Sequence, residues 1–93
     1  MTGRSGYFSS SLRGEKTLSV SFRLEDGKIK DMKISGDFFE FPEGSIDRLE
    51  DRLLEKGISE ALKEIDNFQM VLYGISKEDL KRAILEAIHG QEN

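Results

Sequence analysis

Cysteine is absent from this 93-residue chain. That excludes disulfide scaffolds, thiol catalysis and thiolate metal sites. Tryptophan is also absent, and histidine occurs once, at His89. A single imidazole has no second one to share a metal, and no Ser–His–Asp set can be built on it, because it lies at a terminus. His89 reads instead as a side chain in the last turn of a final helix, a position that suits basic residues. No apolar run approaches the ~20 residues that cross a bilayer, and no secretory apolar region follows the N-terminus. The chain therefore reads as cytoplasmic. Positive charge is in short supply: 14 Lys and Arg stand against 18 Asp and Glu, a net charge of −4. That is the wrong sign for a phosphate backbone. Arg4, Arg13 and Lys16 make a thin basic patch amid serine and glycine, which reads as a solvated tail. Gly3, Gly6 and Gly14 precede no strand–turn–helix unit, so no phosphate loop is expected.

What is present describes one small domain. Hydrophobic residues make up 37% and charged residues 34%, within the range of folded domains and outside that of disorder. A chain this short buries roughly 60–65% of the surface its unfolded form exposes. Its stability is modest, and a partner would add to it. Residues 1–14 read as a flexible N-terminal segment, with Tyr7, Phe8 and Leu12 available to dock. Residues 15–93 form the domain.

From Lys16 the periodicity is two. Leu18, Val20, Phe22 and Leu24 alternate with Thr17, Ser19, Ser21 and Arg23, the pattern of a half-buried strand. Strands over Lys16–Leu24 and Lys28–Ser35 pair as an antiparallel hairpin. A two-residue turn at Asp26-Gly27 would set Phe22 beside Asp31 and mix the faces. A three-residue loop, Glu25-Asp26-Gly27, pairs Val20 with Met32 and Leu18 with Ile34, and sends Lys28 and Lys30 toward the core side. Gly36 marks a bulge or a close backbone approach.

Helices follow Pro42. Ser45 is the expected N-cap of the first, with Ile46, Leu49, Leu53 and Leu54 on its apolar stripe and Gly57 at its end. A second helix spans about Ser59–Asn67, with Leu62 and Ile65 inward. "FQMVLYG" reads as an extended crossing or an edge strand. "SKED" is a capping box in which Asp79 replaces the usual Glu. Leu80, Ile84, Leu85 and Ile88 carry the last helix. The predicted fold is α+β: a small antiparallel sheet, made of the N-terminal hairpin and an edge strand, packed against about three helices.

The candidate site is Gly36, Asp37, Phe38, Phe39 and Phe41. Neighbouring strand residues point to opposite sides, so one sheet face cannot bury all three rings. At least one ring faces away from the helices, and exposed rings are common interface anchors. Asp37 reads equally as an acceptor of backbone N–H bonds in a turn.

The run "TLSVSFRLEDGKIKDMKISGDFF" resembles the accessory C-terminal domain of lipoate–protein ligases. The match lies in the strand, the glycine turn, Gly27-Lys28-Ile29, the second strand and Gly36-Asp37-Phe38-Phe39. "SIDRLEDRLLEKG" is similar to that family's first helix, and "GISKEDLKRAIL" to its closing one. The resemblance spans Leu12 to about Ile88. It implies a small subunit that supports lipoyl-adenylate formation by a separate catalytic subunit and forms a heterodimer with it. ATP, Mg and lipoate are bound by that catalytic chain, and lipoyl-acceptor domains are indirect partners. No catalytic, cofactor-binding or metal residue carries over to this sequence. Gly36, Asp37, Phe38, Phe39 and Phe41 become the expected partner interface. The rival reading from the residues is a non-enzymatic α+β interaction adaptor unrelated to lipoylation.

Overall fold

The computed structural model describes residues 5–14 and 16–90. Among them the chain runs β1 (Ser5–Arg13), β2 (Thr17–Glu25), β3 (Lys28–Gly36), β4 (Phe39–Phe41), α1 (Ser45–Leu53), α2 (Ile58–Asn67), β5 (Val71–Tyr73) and α3 (Lys77–Gly90). This is the expected α+β class. β1, β2 and β3 make an antiparallel sheet in that order, and β4 pairs with β5 in a separate two-stranded ribbon. The expected edge strand thus exists as β5, although its partner is β4.

The first strand corrects the sequence reading. Ser5–Arg13, placed within a flexible segment, pairs along its length with β2, from Ser5 opposite Glu25 to Arg13 opposite Thr17. Residues 1–4 of that segment lie outside the described residues. Phe8 sits opposite Phe22, their ring centroids 5.6 Å apart and stacked. Leu12 sits opposite Leu18. Ser10, on the same inward side, donates its hydroxyl to the Ala83 carbonyl at 2.7 Å. The buried Ala83 and Ala87 let α3 lie close over this sheet.

The hairpin register also differs. Glu25 pairs with Lys28, so the turn has two residues, Asp26 and Gly27, with φ of 56° and 79°. Positive φ at both positions matches the right-handed twist of the flanking strands. The faces stay sorted because β3 carries an extra residue. Leu24 pairs with Ile29 and Arg23 with Asp31, leaving Lys30 between them as a bulge. Beyond it Phe22 meets Met32 and Val20 meets Ile34. Ile29, Met32 and Ile34 all enter the core. A one-residue bulge restores parity as well as a longer loop does. It turns Lys28 to solvent and Lys30 to an ion pair with Glu55 at 2.8 Å.

The free edge of β3 is closed by side chain and loop. The Ile34 N–H donates to the Glu50 carboxylate at 2.7 Å, and the Ile29 N–H to the Lys56 carbonyl at 2.9 Å. An edge whose donors are taken offers little to a passing strand. Partial burial pushes the Glu50 carboxyl above its ordinary range, against the opposing effect of the Ile34 bond.

The helices carry the expected stripes, with Ile46, Leu49, Leu53, Ile65, Leu80 and Ile84 buried and Leu62 and Ile88 half-buried. Leu85 is exposed. Two caps fall elsewhere than expected. Gly44 is the N-cap of α1, and Ser45 is its buried first residue, donating its hydroxyl to the Pro42 carbonyl at 2.5 Å. Gly57 is the N-cap of α2 rather than the end of α1, and its N–H donates to Glu60 at 3.2 Å. The capping box of α3 forms as read: Ser76 N–H to Asp79 at 2.9 Å, and Asp79 N–H to Ser76 Oγ at 3.1 Å.

Candidate functional site: an aromatic ribbon beside the Gly36-Asp37 turn

The five candidate residues divide by role once their places are known. Gly36 ends β3 against the start of β2. A Cβ there would collide with the Thr17 carbonyl oxygen and crowd the Phe38 ring at 3.0 Å. Of the two readings of that glycine, close backbone approach is the one realised. Asp37 then locks the junction. Its Oδ1 accepts the Thr17 N–H at 2.6 Å and the Thr17 hydroxyl at 3.1 Å, while its own N–H donates to the Thr17 carbonyl at 3.3 Å. The bond from the Thr17 N–H is the largest cause holding this carboxyl below its ordinary range, with the Thr17 hydroxyl and the Lys16 charge adding to it.

That shift makes a measurable prediction. A depressed folded pKa adds stability that is fully present above the unfolded value near 3.8 and disappears as pH falls through the folded pKa. Asp37→Asn is expected to be less stable than the parent at neutral pH. The gap should narrow in urea titrations run from about pH 5 to about pH 2. An unchanged gap across that range would show that the charge on Asp37 does not matter to the lock.

Phe38 is half-buried and packs on the core. The chain then turns into β4, whose alternation sends Phe39 and Phe41 outward and Glu40 inward. Glu40 accepts the Gly44 N–H at 2.6 Å, tying β4 to the start of α1. β5 is the other half of the ribbon, with Phe39 opposite Tyr73, Glu40 opposite Leu72 and Phe41 opposite Val71. Leu72 packs inward. On the outward side Phe39 is 68% exposed, Phe41 63%, Tyr73 56% and Val71 48%. Of the sequence candidates, then, Phe39 and Phe41 form the surface and Gly36, Asp37 and Phe38 support it. Val71 and Tyr73 went unnamed among them. Their signal is the apolar, β-prone run of Val71, Leu72 and Tyr73, which suggests a strand without revealing its partner. Beside the rings lies an open hollow of about 520 Å³, lined by Phe38, Phe39, Glu40, Phe41 and Glu43. No three His, Asp or Glu side chains gather as a metal site among the described residues.

The family model described as "Bacterial lipoate protein ligase C-terminus" matches residues 17–84. This chain belongs to that lipoate–protein ligase family. The matched region begins at β2 and ends within α3, so it contains the Gly36-Asp37 turn and both ribbon strands. A curated relative, lipoate-protein ligase A subunit 2 of Thermoplasma acidophilum, is 41% identical over 71 residues, covering 72% of this chain and 74% of the relative. A solved chain from that organism's archaeal lipoylation system, described as a bi-partite lipoate protein ligase and its E2 lipoyl domain, superposes with a TM-score of 0.81. It is 34% identical, and the alignment covers 87% of this chain and 97% of that one. Within the ligase family, these matches align this chain with the small subunit of a ligase divided between two chains.

Proposed function

We propose that this chain is the accessory subunit of a two-chain lipoate–protein ligase, and that it supports lipoyl-adenylate formation on its catalytic partner. The match to subunit 2 of a ligase, over most of both chains, carries the reading. ATP, Mg and lipoate belong to the catalytic chain, which also passes the lipoyl group to an acceptor domain. This chain contributes surface. An acyl-adenylate is lost to water unless it is enclosed, and a small domain that holds a loop shut raises its yield without donating a reacting group. The segment Gly36–Phe41 lies at or beside the contact on this reading, since its two outward rings, Phe39 and Phe41, are exposed among the described residues.

The test is reconstitution. With catalytic chain, lipoate, ATP and Mg, pyrophosphate release is expected to rise at least tenfold when this chain is added, and this chain alone should release none. Full-rate release by the catalytic chain alone would overturn the proposal.

A further inference from the structure

We infer that the outward face of the β4–β5 ribbon, Phe39, Phe41, Val71 and Tyr73 together, is the surface that docks the catalytic chain, and that a basic side chain of that partner enters the adjoining hollow. The inference rests on the two-chain reading above and specifies where the two chains meet. A ribbon of two three-residue strands has little reason to carry four outward apolar side chains for its own sake. Its inner side already holds it down, through Leu72 in the core and Glu40 on the Gly44 N–H at 2.6 Å. Three aromatic rings of roughly 200 Å² each, over half of it exposed, and a valine give on the order of 400 Å² of apolar surface. That is the size of the largest patch on a typical small monomer, and such patches are often functional. It is about half of the ~800 Å² one partner gives to a stable interface. A polar rim supplies the rest.

The chemistry of the rim identifies the occupant. The hollow is lined by Glu40 and Glu43 together with Phe38, Phe39 and Phe41. The Glu40 carboxylate already accepts the Gly44 N–H, and Glu43 is the exposed acid of the pair. Aromatic faces beside carboxylates are what a guanidinium or ammonium seeks. A second copy of this chain fits worse. Two such faces would bring Glu40 and Glu43 against their equals, in a chain whose net charge is −4, and like charges across an interface weaken it. Tyrosine is the residue type most at home in such a contact, with an apolar ring and a hydroxyl at its edge. Tyr73 is thus assigned a role equal to that of Phe39. Asp37 and Phe38 act from behind, by fixing where β4 begins.

Calorimetric titration of the catalytic chain with wild type, the double variant Val71→Ser/Tyr73→Ser, and Glu43→Lys tests the assignment, alongside thermal melts of each protein. The double variant is expected to raise Kd roughly 30-fold or more while its melting point stays near that of wild type. Glu43→Lys, an exposed change that the fold tolerates, should raise Kd about tenfold and flatten the salt dependence of binding. Wild-type binding with both variants equally tight would sink the docking face and leave the two-chain reading standing. Failure of wild type itself to bind would remove that reading, and this inference with it. Sedimentation of the chain alone as a dimer that the same substitutions dissolve would reassign the face to self-association.

Discussion

Phe22→Ala is expected to remove about 3–5 kcal/mol of stability, the cost of emptying a ring-sized space in a close-packed core. Phe22 is wholly buried. It lies opposite Phe8 in β1 and Met32 in β3, so it occupies the middle of the sheet's inner face. Its loss also ends the stacking with Phe8, whose centroid is 5.6 Å away. Domains of this size hold only about 5–15 kcal/mol in total. The melting point should therefore fall by about 15 °C or more, if a cooperative transition survives. Phe39→Ala changes the same residue type and should shift stability by no more than about 0.5 kcal/mol, as exposed substitutions do. Urea melts of the two variants side by side decide the matter. Equal losses would mean that the inner and outer faces have been confused.

The contrast between those two phenylalanines was only partly visible in the sequence. β2 was legible because every second residue from Leu18 to Phe22 is apolar and core-facing, and the intervening ones are polar. β1 was hidden because its inner side reads Gly6, Phe8, Ser10 and Leu12. Two of those four positions are small or polar, and Ser10 earns its inward place through a bond to the Ala83 carbonyl rather than through apolar burial. A strand whose inward side alternates Gly6 and Ser10 with Phe8 and Leu12, and anchors Ser10 to α3 by a hydrogen bond, leaves no clear period-two signal. The hairpin register is ambiguous in the sequence for a different reason. Parity between the two faces required one extra residue somewhere, and parity cannot say whether that residue sits in the turn or in the strand. The bulge at Lys30 answers the requirement inside β3.

The helix starts show the same limit. Ser76 and Asp79 cap α3 as their spacing demands, because both side chains are free to reach the backbone. Ser45 had the composition of a cap, yet its hydroxyl is drawn back to Pro42, and the cap falls on Gly44. In the candidate site, the composition announced that one ring had to face outward. Phe39 and Phe41 do so. The pairing of β4 with β5 joins residues thirty or more positions apart, Phe41 with Val71 and Phe39 with Tyr73. No local pattern encodes that meeting, so half of the apolar face became apparent only with the fold.

Gly36→Ala is expected to cost about 3 kcal/mol and to weaken docking as well. The added methyl group would be driven into the Thr17 carbonyl oxygen, with the Phe38 ring at 3.0 Å on its other side. Thr17 cannot swing away cheaply, because its N–H and hydroxyl are both held by Asp37 and its carbonyl accepts the Asp37 N–H. Relief of the clash must open that lock, and the lock sets where β4 leaves the sheet. Gly27→Ala separates crowding from backbone preference. Gly27 has φ of 79° with open space around the missing side chain, so alanine there meets only the left-handed penalty, about 1 kcal/mol. Gly27 is at the far end of the hairpin from the ribbon, and its variant should bind the catalytic chain as wild type does. Gly36→Ala should lose both melting temperature and affinity, whereas Phe39→Ser should lose affinity alone. Normal affinity in a Gly36→Ala protein that melts early would mean that the Thr17–Asp37 lock serves the fold without positioning the docking face.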